Sequence, residues 1–137
     1  MPLLLLIFAL LAYWTQERPR DLDDFRWKNR LVLYFGQEFD HAWQVDDSLA
    51  YEIADRKLVY ILFADSLMSN QELDFSEDYI NSLHKKYAMG AKGPCWVLIG
   101  LDGGVKMRKE SDLDWPLIFK TIDAMPMRQS ERRRGIN

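Results

Sequence analysis

The chain has 137 residues, enough for one domain with a substantial core. Its 48% hydrophobic and 13% aromatic content excludes a disordered polymer, and a net charge of -3 with a pI near 5.4 excludes a general nucleic-acid binder, which would carry a basic face. A single cysteine, Cys95, excludes an internal disulfide, a CxxC redox pair and a cysteine-based zinc knuckle; His41 and His84 are too few and too scattered for a metal site, so no cofactor is expected.

Leu3 to Trp14 is an unbroken apolar run. As a helix it would be roughly 18 Å long, against about 30 Å of hydrocarbon. That is too short to span a bilayer and suits the apolar part of a secretory signal. Two features run against this: no Lys or Arg precedes the run, and Ala12, the best cleavage candidate, has a bulky Leu10 two positions before it. Residues 1–14 are expected to be a signal peptide that sends the protein to the periplasm or cell envelope. The alternative is an uncleaved anchor that holds it on a membrane surface through residues 3–14. A buried helix is disfavoured because the run has no polar face. Residues 15–24 contain Pro19 and read as a linker, after which Leu22, Phe25 and Trp27 bring apolar groups back.

Arg30–Phe35 is nearly all apolar, as expected of a strand covered on both faces, and Gly36 ends it. Asp40 is the expected N-cap of a helix running to about Ala54, with Ala42, Val45, Leu49 and Ile53 at helical spacing. Leu58–Ala64 is a second apolar strand, which completes a β-α-β unit with parallel strands. Asp65–Asp74 reads as a polar loop. Ser76 is the next expected N-cap, with Phe75 and Ile80 placed for a hydrophobic staple, and the helix should run to about Tyr87 and stop near Gly90.

Cys95–Leu101, Asp102-Gly103 and Val105–Lys109 read as a hairpin with a type I′ turn, which requires positive φ at both central residues. Val105 and Met107 should face one way and Lys106 and Arg108 a wet side, as on an edge strand. Ser111–Asp114 opens the last helix, Pro116 fits its first turn, and Met125-Pro126 stops it. The tail from Met125 carries Arg128, Arg132, Arg133 and Arg134 against Glu131, a charge of +3, so the rest of the chain carries -6 of the total of -3.

The order β-α-β-α-β-β-α is that of a thioredoxin-like α/β domain, expected over residues 25–124. It should be a four-stranded mixed sheet with helices on both faces and Arg30–Phe35 at its centre. The stretches Phe25–Leu31, Leu98–Arg108 and Ile122–Gln129 further resemble the bacterial domain of unknown function family 4174, over roughly residues 22 to 132. The resemblance implies an exported bacterial protein of thioredoxin-like fold with no established activity, and it supplies no catalytic residue. Gly93-Pro94-Cys95 is where this chain departs from it.

Thioredoxins place a reactive thiol at the start of the first helix, where the helix N-terminus lowers its pKa. Here that position is Gly36-Gln37-Glu38-Phe39-Asp40, without a thiol and with two acids. Dithiol exchange is excluded on chemistry. Pro94 occupies the place where such folds carry a cis-proline, with an ordinary trans bond as the default. Cys95 beside it is either a small buried hydrophobe or a reactive thiol facing that corner. His41 with Glu38 and Asp40 is better read as a solvated helix start than as acid-base machinery, and His84 should lie on a helix flank near Lys85 and Lys86.

The remaining candidate is the basic tail 125–137. Met125, Pro126, Met127, Arg128, Arg132 and Arg133 are either a docking arm for an acidic protein partner or a solvated terminus. The function expected from the sequence is a non-enzymatic binding or structural module; the alternative is a single-thiol enzyme, peroxidase- or transferase-like, using Cys95.

Overall fold

The computed structural model describes residues 17–36 and 44–135. The run 1–14 and the cluster Glu38, Asp40 and His41 lie outside the described residues.

Five strands form one sheet: β1 Arg30–Phe35, β2 Leu58–Phe63, β3 Leu67–Ser69, β4 Cys95–Ile99 and β5 Val105–Lys109, in the order β3-β2-β1-β4-β5. β1 is central. It pairs parallel with β2 from Arg30↔Leu58 to Phe35↔Phe63, and antiparallel with β4 from Leu31↔Ile99 to Phe35↔Cys95. Every residue of β1 is buried, which accounts for its continuous apolar run.

Side chains alternate between two cores. Leu31, Leu33, Phe35, Val59, Ile61, Phe63, Val97 and Ile99 pack with Phe25, Leu83 and Tyr87 on one face. Val32, Tyr34, Leu62, Trp96 and Leu98 pack with Ile53, Ile118 and Ile122 on the other. Each fully buried Ile contributes about 1.5–3 kcal/mol relative to exposure, so the apolar stripes of the helices suffice to dock them.

Helix α1 is Asp47–Asp55, capped by Asp46, whose carboxylate accepts the Leu49 N–H at 2.7 Å. Residues 44–46 are not helical, so the helix expected from Asp40 starts later. Asp46 caps this helix because its side chain reaches a free N–H of the first turn. Helix α2, Glu77–Leu83, is capped by Ser76 as expected and runs on through a π-helical turn, His84–Ala88, to Met89 at φ 49° and Gly90 at φ 72°. Helix α3, Trp115–Asp123, is capped by Asp114 and carries Pro116 in its first turn.

Four other expectations are corrected. The sheet has five strands, because Leu67–Ser69 folds back on β2 within the stretch read as a loop. Asn70 extends that pairing with its side chain, accepting the Tyr60 N–H and donating to the Leu58 carbonyl. The hairpin turn is not type I′: only Gly103 has positive φ, at 83°, and the loop closes through Gly103 N–H to the Gly100 carbonyl and Gly100 N–H to the Gly104 carbonyl. That is a three-residue loop with glycine in its left-handed position. On β5 it is Val105 that is 52% exposed, while Arg108 folds inward and donates to the Tyr87 and Ala88 carbonyls at 2.9 and 2.7 Å. It satisfies carbonyls at the end of α2 that the π turn leaves free. Finally, residues beyond Met125 form a helix, α4, Pro126–Gly135.

Candidate functional site

Two places merit description: the corner at the end of β1, where thioredoxin chemistry would sit, and the junction beneath α4.

At the corner, the Phe35↔Cys95 pair brings the start of β4 beside the end of β1. A cavity of about 550 Å³ opens there, lined by Tyr34, Gly36, His84, Lys92, Pro94 and Cys95 among others. His84 lies exposed on the helix flank beside Lys85 and Lys86, as expected, and its ring meets Phe35 edge-on at 4.9 Å and Phe63 at 5.6 Å. No described peptide bond is cis, so Pro94 follows a trans bond. Cys95 is 0% exposed. Burial pushes its thiol pKa up, and the nearby Arg108 guanidinium only partly offsets that. Thiolate chemistry needs the opposite, an accessible thiol of depressed pKa. Among the described residues, no group of three His, Cys, Asp or Glu is placed to hold a metal ion.

The junction beneath α4 is built from charge. Arg30, at the start of β1, is 1% exposed; its Nη1 donates to the Arg56 carbonyl at 3.0 Å and to Glu131 on α4 at 3.3 Å. Arg56 follows α1 and forks onto Asp123 of α3 at 3.0 and 2.8 Å, with Glu52 at 2.6 Å. Its guanidinium also lies 4.4 Å over the Phe119 ring. Burial acts to lower the Arg56 pKa, but Asp123 and Glu52 reverse this and hold it above its ordinary value. Arg128 of α4 bridges Asp55 at 2.6 Å and Asp123 at 3.2 Å. Burial alone would raise the Asp123 pKa; hydrogen bonds from Arg56 and Arg128 hold it below the usual carboxylate range.

This network sorts the six candidates of the tail. Met125 is half-buried against the core, Pro126 opens α4, and Arg128 is 5% exposed and fully engaged within the chain. Arg128 is therefore an anchor rather than a docking group. Met127, Arg132 and Arg133 face solvent. The sequence reading missed Arg30, Arg56, Asp55, Asp123 and Glu131 as a set. One signal was available: an arginine opening a fully apolar strand needs an anionic partner somewhere in the fold.

Beside the network, Trp27, Lys57, Leu101, Met127, Arg132 and Arg134 line an open groove of about 740 Å³. Trp27 stands at φ 64° and is 63% exposed, in contrast to Phe25 two residues earlier, which is 2% exposed. Its N–H donates to the Leu101 carbonyl at 2.7 Å, tying the turn before β1 to the hairpin. All three stretches that carried the family resemblance thus meet at this groove.

The sheet order, the β-α-β unit and the hairpin with its closing helix define a thioredoxin-fold protein. In agreement, the chain is similar to the reduced 2-Cys peroxiredoxin of Plasmodium vivax, whose crystal structure superposes with a TM-score of 0.52 at 19% identity, covering 80% of this chain and 84% of that one. That likeness shows the fold. A family model, Domain of unknown function (DUF4174), matches residues 21–131, and the chain belongs to that family. No curated protein matches it.

Proposed function

We propose that this chain is a non-enzymatic binding module on a thioredoxin-fold scaffold, working outside the cytoplasm. The observation that carries the reading is Cys95: the one thiol of the chain is fully enclosed, and burial raises its pKa. One cysteine supplies no pair for a 2-Cys reaction, and a thiol with no exposed surface is poorly placed to meet a peroxide or a disulfide. Export is supported by the Leu3–Trp14 run, and mass spectrometry of the mature N-terminus decides it: an intact segment would favour anchoring over cleavage.

The test of the central reading is thiol labelling with a small maleimide. In the native protein Cys95 should stay unlabelled at neutral pH, and it should react fully once denaturant unfolds the chain. The single-thiol enzyme is the second reading, favoured by the cavity that Cys95 and His84 both line. Fast native labelling that rises with pH through a depressed midpoint would establish it and remove the first reading.

A further inference from the structure

We propose that the groove between α4 and the turn before β1 is the docking site for an acidic linear peptide of a partner protein, with apolar side chains seated on Trp27 and Met127. The proposal rests on the binding-module reading and names the partner's chemistry.

The first observation is apolar exposure. Trp27 and Met127 are 63% and 47% exposed, come from opposite ends of the chain, and line the same groove. Exposed tryptophan beside methionine is the composition of a protein contact, where an aromatic supplies large area at low entropic cost.

The second is strain. Only three non-glycine residues among those described have positive φ, and two of them, Trp27 at 64° and Lys57 at 51°, line this groove. Holding a bulky side chain there costs energy and persists only where the surroundings enforce it. The bond from Trp27 N–H to Leu101 enforces it here, so the indole is presented outward while Phe25 fills the core.

The third is charge. The carboxylates at the groove, Asp55 and Glu131, are already bound to Arg128 and Arg30. Lys57, Arg132 and Arg134 are exposed and form no ion pair among the described residues. The groove therefore presents three cations not paired with a carboxylate among the described residues, Arg134 donating only to the Ser130 carbonyl, on a body whose remainder carries -6. An acidic segment is drawn to this site and repelled elsewhere, which sets orientation as well as affinity. A nucleic-acid strand is disfavoured because its backbone would run off three cations onto the acidic body.

The experiment uses the full chain and a nine-residue probe alternating Glu or Asp with Phe or Leu. Its controls are the same peptide with Gln and Asn for the acids, and a nine-nucleotide oligothymidylate. Fluorescence polarisation reads affinity, and the Trp27 indole N–H resonance, assigned by its loss in Trp27→Phe, reads location. The acidic peptide should bind at least tenfold tighter than either control and weaken with salt. Trp27→Ala, and Arg132→Ala with Arg134→Ala, should each weaken it tenfold or more, and Lys120→Ala on α3 should leave it unchanged. Equal affinity for the neutral peptide, preference for the oligonucleotide, an unmoved Trp27 resonance, or self-association of the chain blocked by the same substitutions would overturn the proposal. Any of these with Cys95 still unreactive sinks the groove alone; reactive Cys95 sinks the underlying reading instead.

Discussion

Arg128 and Asp55 stand 73 residues apart and meet at 2.6 Å, with the arginine 5% exposed. This contact, with the Arg128–Asp123 pair behind it, fastens α4 to the end of α1. A segment whose composition reads as a loose basic arm is thereby made part of the fold.

Arg128→Met should destabilise the protein by about 2–3 kcal/mol. The value lies below that for a fully enclosed pair because the Asp55 and Asp123 side chains are 46% and 29% exposed. Arg128→Lys should not restore it, since one ammonium cannot serve both carboxylates as the guanidinium fork does. Denaturant titration measures the loss, and limited trypsin cleavage within α4 should accelerate in both variants.

Acid should loosen the same junction. The Asp123 carboxyl is held below its ordinary value, so its stabilising effect is complete above the unfolded value, about pH 3.9, and is lost as pH falls through the lower folded value. Asp123→Asn should remove that part of the acid dependence. Thermal unfolding of both forms between about pH 5 and pH 2 checks the prediction, and an unchanged acid limb would refute it.

Cys95 produces the opposite slope. Its thiol pKa is raised in the folded state, so ionisation in the unfolded chain should lower stability as pH climbs above about 8.5, until the folded thiol ionises in turn. Cys95→Ala should flatten this alkaline decline, ahead of the later contribution from Tyr79, whose hydroxyl is also pushed up by burial. Unfolding curves at pH 7, 9 and 10 measure it.

Glycine positions offer a local test of the hairpin. Gly103 has φ 83°, and a Cβ there would lie 3.0 Å from Arg26 Nε. Gly103→Ala should cost about 1–2 kcal/mol, because a left-handed backbone and a close neighbour both oppose the methyl. Gly93 has no atom within 4 Å of such a Cβ and no positive φ, so Gly93→Ala should be neutral to within about 0.5 kcal/mol.

Much of the architecture was legible in the chain. Continuous apolar runs marked β1, β2 and β4, since strands covered on both faces have no polar positions. Ser76, Asp114 and Pro116 marked helix starts through the free N–H groups of a first turn. Leu67–Ser69 escaped because three residues carry no periodicity, and its pairing is completed by the side chain of Asn70. The late start of α1 escaped because Asp40 and Asp46 are equally good caps by composition.

The candidate sites divided in the same way. That this sequence holds no cysteine pair followed from one count. Whether Cys95 is reachable, and whether Arg128 docks a partner or anchors a helix, depended on which groups the fold brought beside them. Local sequence thus determined the elements and the missing redox pair, through short-range hydrogen bonding and apolar periodicity. The tertiary structure alone decided which charges are paired and which tryptophan faces water, because both depend on contacts between residues far apart in the chain.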